Sequence, residues 1–238
     1  GGTAPYQYSW SNGSNSDTLT NLGAGNYSLT LTDDNGCVDS YSHEINQTQL
    51  MSHTIVTSGA SWNGYQIQCK GYINGGITMS VNGGTGTYSY FINSSSNTGN
   101  IFSGLSAGSY TVLAMDENNC ETDSIVTLLE PSTSVQLTTD KSDYNGEGVS
   151  CNGFTDGWIS TSVTGGLGGY SYQWSNLSST SDSVYGLSSG NYTVIVTDIN
   201  NCSDSKTINI SEPQVLEIDV DTSNFNGYGV SCNGSTDG

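Results

Sequence analysis

Gly165-Gly166-Leu167-Gly168-Gly169-Tyr170-Ser171-Tyr172-Gln173-Trp174 sets three aromatic rings at alternate positions behind a glycine pair. Alternation with period two is the mark of a strand with one buried face, so Tyr170, Tyr172 and Trp174 are expected side by side. Segments of the same kind lie on both sides. Val135, Leu137 and Thr139 alternate with polar residues, as do Ile159, Thr161 and Val163. A Ser-rich turn and a short strand near Val184 follow the aromatic segment, then Tyr192, Val194 and Val196, and finally Ile208 and Ile210. About seven short strands at roughly 8–12-residue spacing predict an antiparallel sandwich.

The same stretch occurs three times. Gly1-Gly2-Thr3-Ala4-Pro5-Tyr6-Gln7-Tyr8-Ser9-Trp10 and Gly83-Gly84-Thr85-Gly86-Thr87-Tyr88-Ser89-Tyr90-Phe91-Ile92 precede it. A shift of about 82 residues superimposes the chain on itself almost throughout, the signature of tandem duplication. Leu22/Tyr27, Leu105/Tyr110 and Leu187/Tyr192 repeat a Leu-x-x-Gly-x-Tyr corner; Asp33–Cys37, Asp116–Cys120 and Asp198–Cys202 repeat an Asp-x-Asn-x-Cys turn. Cys69, Cys151 and Cys232 each begin a Cys-x-Gly loop, and Glu130-Pro131 and Glu212-Pro213 punctuate the units. Cutting there, and one period earlier, gives four pieces: 1–49, expected to be the C-terminal part of a truncated repeat; 50–132, a complete but divergent repeat; 133–214, a complete repeat; and 215–238, the N-terminal part of another.

The 238 residues carry 22 acidic side chains against Lys70, Lys141 and Lys206, with no arginine, for a formal charge of -19. Three scattered lysines cannot neutralise phosphates, which excludes nucleic acid as a partner, and an anionic membrane repels such a chain. There is no apolar run of about 20 residues, so no direct membrane insertion is expected. Hydrophobic residues make up only 33%, while 31 glycines and 15 tyrosines favour turns and pleated surfaces over helices.

Trp10 and Trp174 fall on the strand where immunoglobulin-like folds bury a tryptophan; the second unit has Ile92 there. Tyr27, Tyr110 and Tyr192 match a tyrosine corner, in which a buried phenol caps backbone groups upstream. The expected fold is therefore all-β, a tandem array of immunoglobulin-like antiparallel β-sandwich domains with these five aromatic residues in the cores.

Six cysteines in two periodic families give each complete unit a pair, which favours an oxidising compartment. The simplest pairing stays within a unit, Cys69 with Cys120 and Cys151 with Cys202, leaving Cys37 and Cys232 for repeats outside this stretch. Against it, the first cysteine precedes the second strand and the second opens the last, so they lie ~20 Å apart in a plain sandwich, whereas bridged Cα atoms sit within about 7 Å. A long excursion over Tyr144–Ser150 would be needed to close the gap. Pairing between sequence neighbours (Cys37–Cys69, Cys120–Cys151, Cys202–Cys232) is the alternative.

Val149-Ser150-Cys151-Asn152-Gly153, the Gly-Gly-x-x-x-Tyr-x-Tyr-x-Trp stretch, the Tyr corner and the Asp-x-Asn-x-Cys turn together resemble the SprB-type repeat of Bacteroidota gliding-motility adhesins. The second unit departs from that pattern at Gln68-Cys69-Lys70-Gly71 and at Ile92. The resemblance implies export by the type IX secretion system, display at the cell surface, and a structural stalk in a long adhesin filament used in gliding and attachment. Its partners would be neighbouring repeats of the same chain and an external surface or polysaccharide. The alternative function is a carbohydrate- or protein-binding module acting through the variable loops 13–17, 94–100 and 178–182. Asp17-Thr18-Leu19, Asp123-Ser124-Ile125 and Asp182-Ser183-Val184 also resemble a Bacteroidota O-glycosylation motif, which would place sugar on Thr18, Ser124 and Ser183.

No catalytic constellation emerges and no enzyme is expected. His43 and His53 do not recur at the repeat period and lack partners for a base or a zinc site. The lysines do not align, and no Gly-Lys-Ser/Thr follows the glycine pairs. Asp33, Asp34, Asp116 and Asp198 recur in one turn and are candidate calcium ligands, although one or two carboxylates per turn fall short of a cage and Asp-Asn-Gly is ordinary turn chemistry.

Overall fold

The computed structural model describes residues 1–59 and 62–238, and all regular structure in them is β. Residues 1–49 hold β1 (Gln7–Trp10), β2 (Gly25–Thr32) and β3 (Val38–Ile45). Residues 50–132 hold β4 (Ser52–Thr57), β5 (Gly75–Asn82), β6 (Ser89–Ile92), β7 (Ser95–Asn97), β8 (Ile101–Leu105), β9 (Gly108–Met115) and β10 (Glu121–Leu128). Residues 133–214 hold β11 (Gln136–Lys141), β12 (Gly157–Thr164), β13 (Ser171–Trp174), β14 (Ser183–Leu187), β15 (Gly190–Thr197) and β16 (Ser203–Ile210). Residues 215–238 form no strand, only an isolated bridge between Phe225 and Tyr228.

The third repeat shows the design. Its sheets are ordered β11-β12-β14 and β13-β15-β16, with antiparallel pairing throughout. Leu137, Ile159 and Val184 from the first sheet meet Trp174, Tyr192, Val194, Val196, Ile208 and Ile210 from the second in one buried cluster. Burying each aliphatic side chain there contributes roughly 1.5–3 kcal/mol. Six strands form rather than the expected seven, because residues 175–182 run as turn and loop. In the second repeat the equivalent stretch does make a strand: Asn93 and Ser94 both take positive φ, closing a two-residue hairpin between β6 and β7.

Contacts divide the chain into two compact units, one of residues 1–56, 77–103 and 109–127, the other of residues 57–76, 104–108 and 128–238. The first has the sheet β1-β2-β3 and buries Met51, Ile77, Met79, Phe102, Val112, Ala114 and Val126. None of residues 1–49 is buried, and Trp10 and Tyr27 on this sheet are half-buried rather than core; Tyr110 on β9 is half-buried too, while Trp174 and Tyr192 are buried. The second unit contains the whole third repeat together with the cysteine loop of the second, and thus a complete joint between repeats.

The glycine pair has a steric cause. A Cβ on Gly165 would stand 2.1 Å from the Ser134 carbonyl oxygen, and one on Gly83 2.3 Å from that of Leu50. Both glycines also take positive φ, so the chain can pass this close to the opening strand only without a side chain.

Candidate functional site

The joint is built from two small devices, each set by local sequence. The first is the cysteine loop. Asn63-Gly64, Asn145-Gly146 and Asn226-Gly227 have positive φ at both residues, a type I′ turn closed by the bridges Trp62–Tyr65, Tyr144–Glu147 and Phe225–Tyr228. Downstream, the N–H of Tyr72, Phe154 and Ser235 donates to the carbonyl of Cys69, Cys151 and Cys232, with Gly71, Gly153 and Gly234 at positive φ. That is a type II turn, and it explains the Cys-x-Gly spacing. A side-chain oxygen closes each loop: Asp156 Oδ1 accepts from the Ser150 N–H at 3.1 Å, Asp237 from Ser231 at 3.1 Å, and Asn74 from Gln68 at 3.3 Å.

The Glu-Pro punctuation anchors these loops. Glu130 Oε2 accepts from the Gly71 N–H at 2.7 Å, and its other oxygen pairs with the Lys70 ammonium; Glu212 accepts from the Gly153 N–H at 2.9 Å. Lys70, chiefly, and the Gly71 N–H hold the Glu130 carboxyl below its ordinary pKa, and the Gly153 N–H does the same for Glu212.

The second device is the Asp-x-Asn-x-Cys turn. In all three copies one aspartate oxygen accepts from the N–H groups two and four residues on: Asn35 and Cys37 on Asp33, Asn118 and Cys120 on Asp116, Asn200 and Cys202 on Asp198. The other oxygen accepts from the N–H of Thr3, Thr85 or Leu167, just behind the glycine pair. Each carboxylate is spent on three backbone donors. The Thr3 N–H foremost lowers the Asp33 pKa, and the Cys120 N–H foremost lowers that of Asp116. Asp34 stands beside this ring and uses its own N–H to reach the Thr3 carbonyl. Among the described residues no group of three or more His, Cys, Asp or Glu side chains is placed to hold a metal ion.

Cys69 of the second repeat and Cys202 of the third form a disulfide, with Cα atoms 5.6 Å apart and a sequence separation of 133. This replaces both expected pairings. Val149 donates its N–H to the Ser211 carbonyl, and Asn152 Nδ2 donates to that of Pro213, so Cys151 lies near the end of β16, whereas Cys202 precedes its start. Eight strand residues, about 27 Å, separate the two cysteines of one repeat. Tyr144–Glu147 is a tight hairpin turn and the next residues, Gly148 and Val149, are tied to the Ser211 carbonyl, so this stretch is not the long excursion that would have closed that gap. Cys202 cannot take Cys232, nor Cys69 take Cys37 or Cys120, because each is already bonded; Cys37, Cys120, Cys151 and Cys232 are exposed free thiols.

Asn200, 2% exposed, fastens the joint beside the sulfur bridge. Its Oδ1 accepts from Asn63 Nδ2 at 2.8 Å, its Nδ2 reaches the carbonyls of Gln68 (3.3 Å) and Trp62 (3.4 Å), and its own carbonyl accepts from Gln68 Nε2 at 2.9 Å. In the sequence Asn200 is simply the middle residue of the Asp-x-Asn-x-Cys turn. Its recurrence beside the second cysteine, with an Asn-Gly pair upstream of the first, was the available signal.

The other singled-out residues fall elsewhere. Tyr27 and Tyr192 donate their hydroxyls to the carbonyls of Gly23 and Ser188, each at 3.1 Å. Tyr88 and Tyr170 donate to the carbonyls of Gly83 and Gly165, a second phenol cap that the alternation of aromatic residues alone does not reveal. Thr18 is exposed in a loop, while Ser124 on β10 and Ser183 on β14 are half-buried. His43 stacks on Tyr41 along β3, and His53 Nδ1 lies 2.6 Å from Thr122 Oγ1.

No curated protein matches the chain. Among solved structures it is similar to the Clostridium thermocellum CbhA fibronectin(III)-like modules, at 14% identity over 71% of this chain and 100% of that one, TM-score 0.30. It is also similar to the N-terminal eight Ig domains of Down Syndrome Cell Adhesion Molecule, at 10% identity over 85% of this chain and 36% of that one, TM-score 0.27. Cadherin domains 1–4 of protocadherin gamma B7 match at 14% identity over 87% of this chain and 66% of that one, TM-score 0.29. The cysteine loop, β12, the glycine pair and β13 of the third repeat are also what a family model recognises: residues 147–179 are a SprB repeat.

Proposed function

We propose that this chain is a stalk segment of a large secreted surface adhesin, a non-catalytic run of β-sandwich repeats whose task is reach and resistance to pulling. The SprB repeat and the disulfide point to an extracellular surface protein. Gliding motility, attachment and export by type IX secretion are the finer part of this reading and rest on the resemblance of the repeat. The net charge of -19 keeps neighbouring filaments apart and discourages pairing of exposed strand edges.

The single observation that carries the mechanical reading is the bridge from one repeat to the next. It takes the 133-residue step from Cys69 to Cys202 out of the extensible chain. Stretched between its ends by atomic-force microscopy, the reduced chain should extend about 45 nm further than the oxidised one. Equal extension would overturn the load-bearing role. Loss of gliding on deleting the parent gene, with rescue by the wild type and not by a copy lacking both cysteines, would tie the bridge to motility.

A further inference from the structure

We propose that the four free cysteines are halves of further copies of the Cys69–Cys202 joint, each fitting another repeat of this same type. The turn cysteines Cys37 and Cys120 would take the Cys-x-Gly loop of a preceding repeat. The loop cysteines Cys151 and Cys232 would take the Asp-x-Asn-x-Cys turn of a following one.

Three observations carry this. The bonded pair joins a loop of one repeat to the turn of the next, so loop and turn are complementary by demonstration. Both halves already hold the joint geometry where they are unpaired: the aspartate oxygens of Asp33 and Asp116 grip the same N–H groups as Asp198, and Asn145 and Asn226 keep φ of 56° and 55° beside 50° at Asn63. The faces are uncovered in the way the bonded joint would cover them, since Cys69, Cys202 and Asn200 are buried, whereas Asn118, Cys120, Ser150 and Cys151 are exposed.

Each new bridge needs a two-electron oxidant, and a small-molecule disulfide such as oxidised glutathione serves. One protein thiolate attacks it and releases one small thiol. The second protein thiolate then attacks the mixed disulfide and releases the other, so two protein S–H bonds become one S–S bond and two small thiols. In a continuous array the outcome is two interleaved ladders. The covalent path would cross from Cys69 to Cys202 through sulfur, follow about 30 residues to Cys232, and cross again, bypassing most of every sandwich.

The test uses the 238-residue chain itself. Equal amounts of unlabelled and ¹⁵N-labelled chain are oxidised in a glutathione buffer, digested without reduction and mapped by mass spectrometry. Interchain bridges should join a turn cysteine (37 or 120) to a loop cysteine (151 or 232) about tenfold more often than two of one class. Asn118→Ala should lower Cys120 bridging severalfold while leaving its alkylation by iodoacetamide unchanged. Turn–turn and loop–loop bridges in equal yield, Cys120–Cys151 bridges within one chain, or glutathione adducts alone would each overturn the proposal. None of these outcomes bears on the stalk reading, which stands on Cys69–Cys202.

Discussion

The turns Asp198–Cys202 and Asp116–Cys120 make the same three hydrogen bonds to one carboxylate, yet one is covered by a neighbouring loop and the other faces solvent. Asn200 and Cys202 are buried; Asn118 and Cys120 are exposed. The turn therefore owes its shape to its own aspartate, not to the partner. A surface formed before docking loses little conformational entropy when it docks, which favours a rigid joint.

Removing the sulfur bridge should separate the two turns most. Cys202→Ser frees a loop of 133 residues in the unfolded chain and should cost about 2–5 kcal/mol by denaturant titration. Cys120→Ser should stay within about 0.5 kcal/mol, as exposed substitutions do. A comparable loss at both sites would mean that Cys120 already serves a role the present geometry does not give it.

Removing the carboxylates should erase the difference. Asp198→Ala and Asp116→Ala each strand three backbone donors, and each should cost about 1–3 kcal/mol. A cost at Asp198 alone would show that docking, not the aspartate, shapes the turn. Asn200→Ala should cost about 1–2 kcal/mol and Asn118→Ala almost nothing, because only Asn200 bonds across the joint. A double-mutant cycle of Asn200→Ala with Asn63→Ala would measure their coupling directly.

The strand pattern was legible because a half-buried strand advertises itself in every second residue, and the 82-residue period multiplied that signal. Val194, Val196 and Ile159 are core as the alternation implies. Trp10 occupies the same strand position as Trp174 but is half-buried, since pattern reports which face is apolar and not whether a second sheet covers it. The disulfide was illegible for a related reason. Periodicity sorts the cysteines into two families but is blind to which repeat supplies the partner, and that depends on how the Glu130-Pro131 junction brings a loop onto the next turn. The sequence did hold the warning that cysteines of one repeat sit at opposite ends of a strand. Asn200 was hidden because Asp-Asn-Asn is also ordinary turn chemistry; its side-chain role exists only in the joint.

The smallest expected effect concerns the carboxylates that tie the two loops down. Glu130, beside the joint, and Glu212, beside the uncovered loop, both have pKa values lowered in the folded chain. A carboxyl that is more acidic folded than unfolded contributes stability fully above its unfolded value near 4.5, and that contribution drains away as pH falls below it. Asp33 and Asp116 follow the same rule from an unfolded value near 3.8. Melting temperature should therefore hold steady from neutral pH to about 5 and fall below it. Glu130→Gln and Glu212→Gln should each shallow that fall. The two differ in cause, for Lys70 leads at Glu130 and a backbone N–H leads at Glu212. Added salt screens a charge pair more than a hydrogen bond to a neutral donor. High salt should thus weaken the Glu130 contribution and leave that of Glu212 nearly intact. Equal salt sensitivity would show that the ammonium of Lys70 adds nothing to what the Gly71 N–H already supplies.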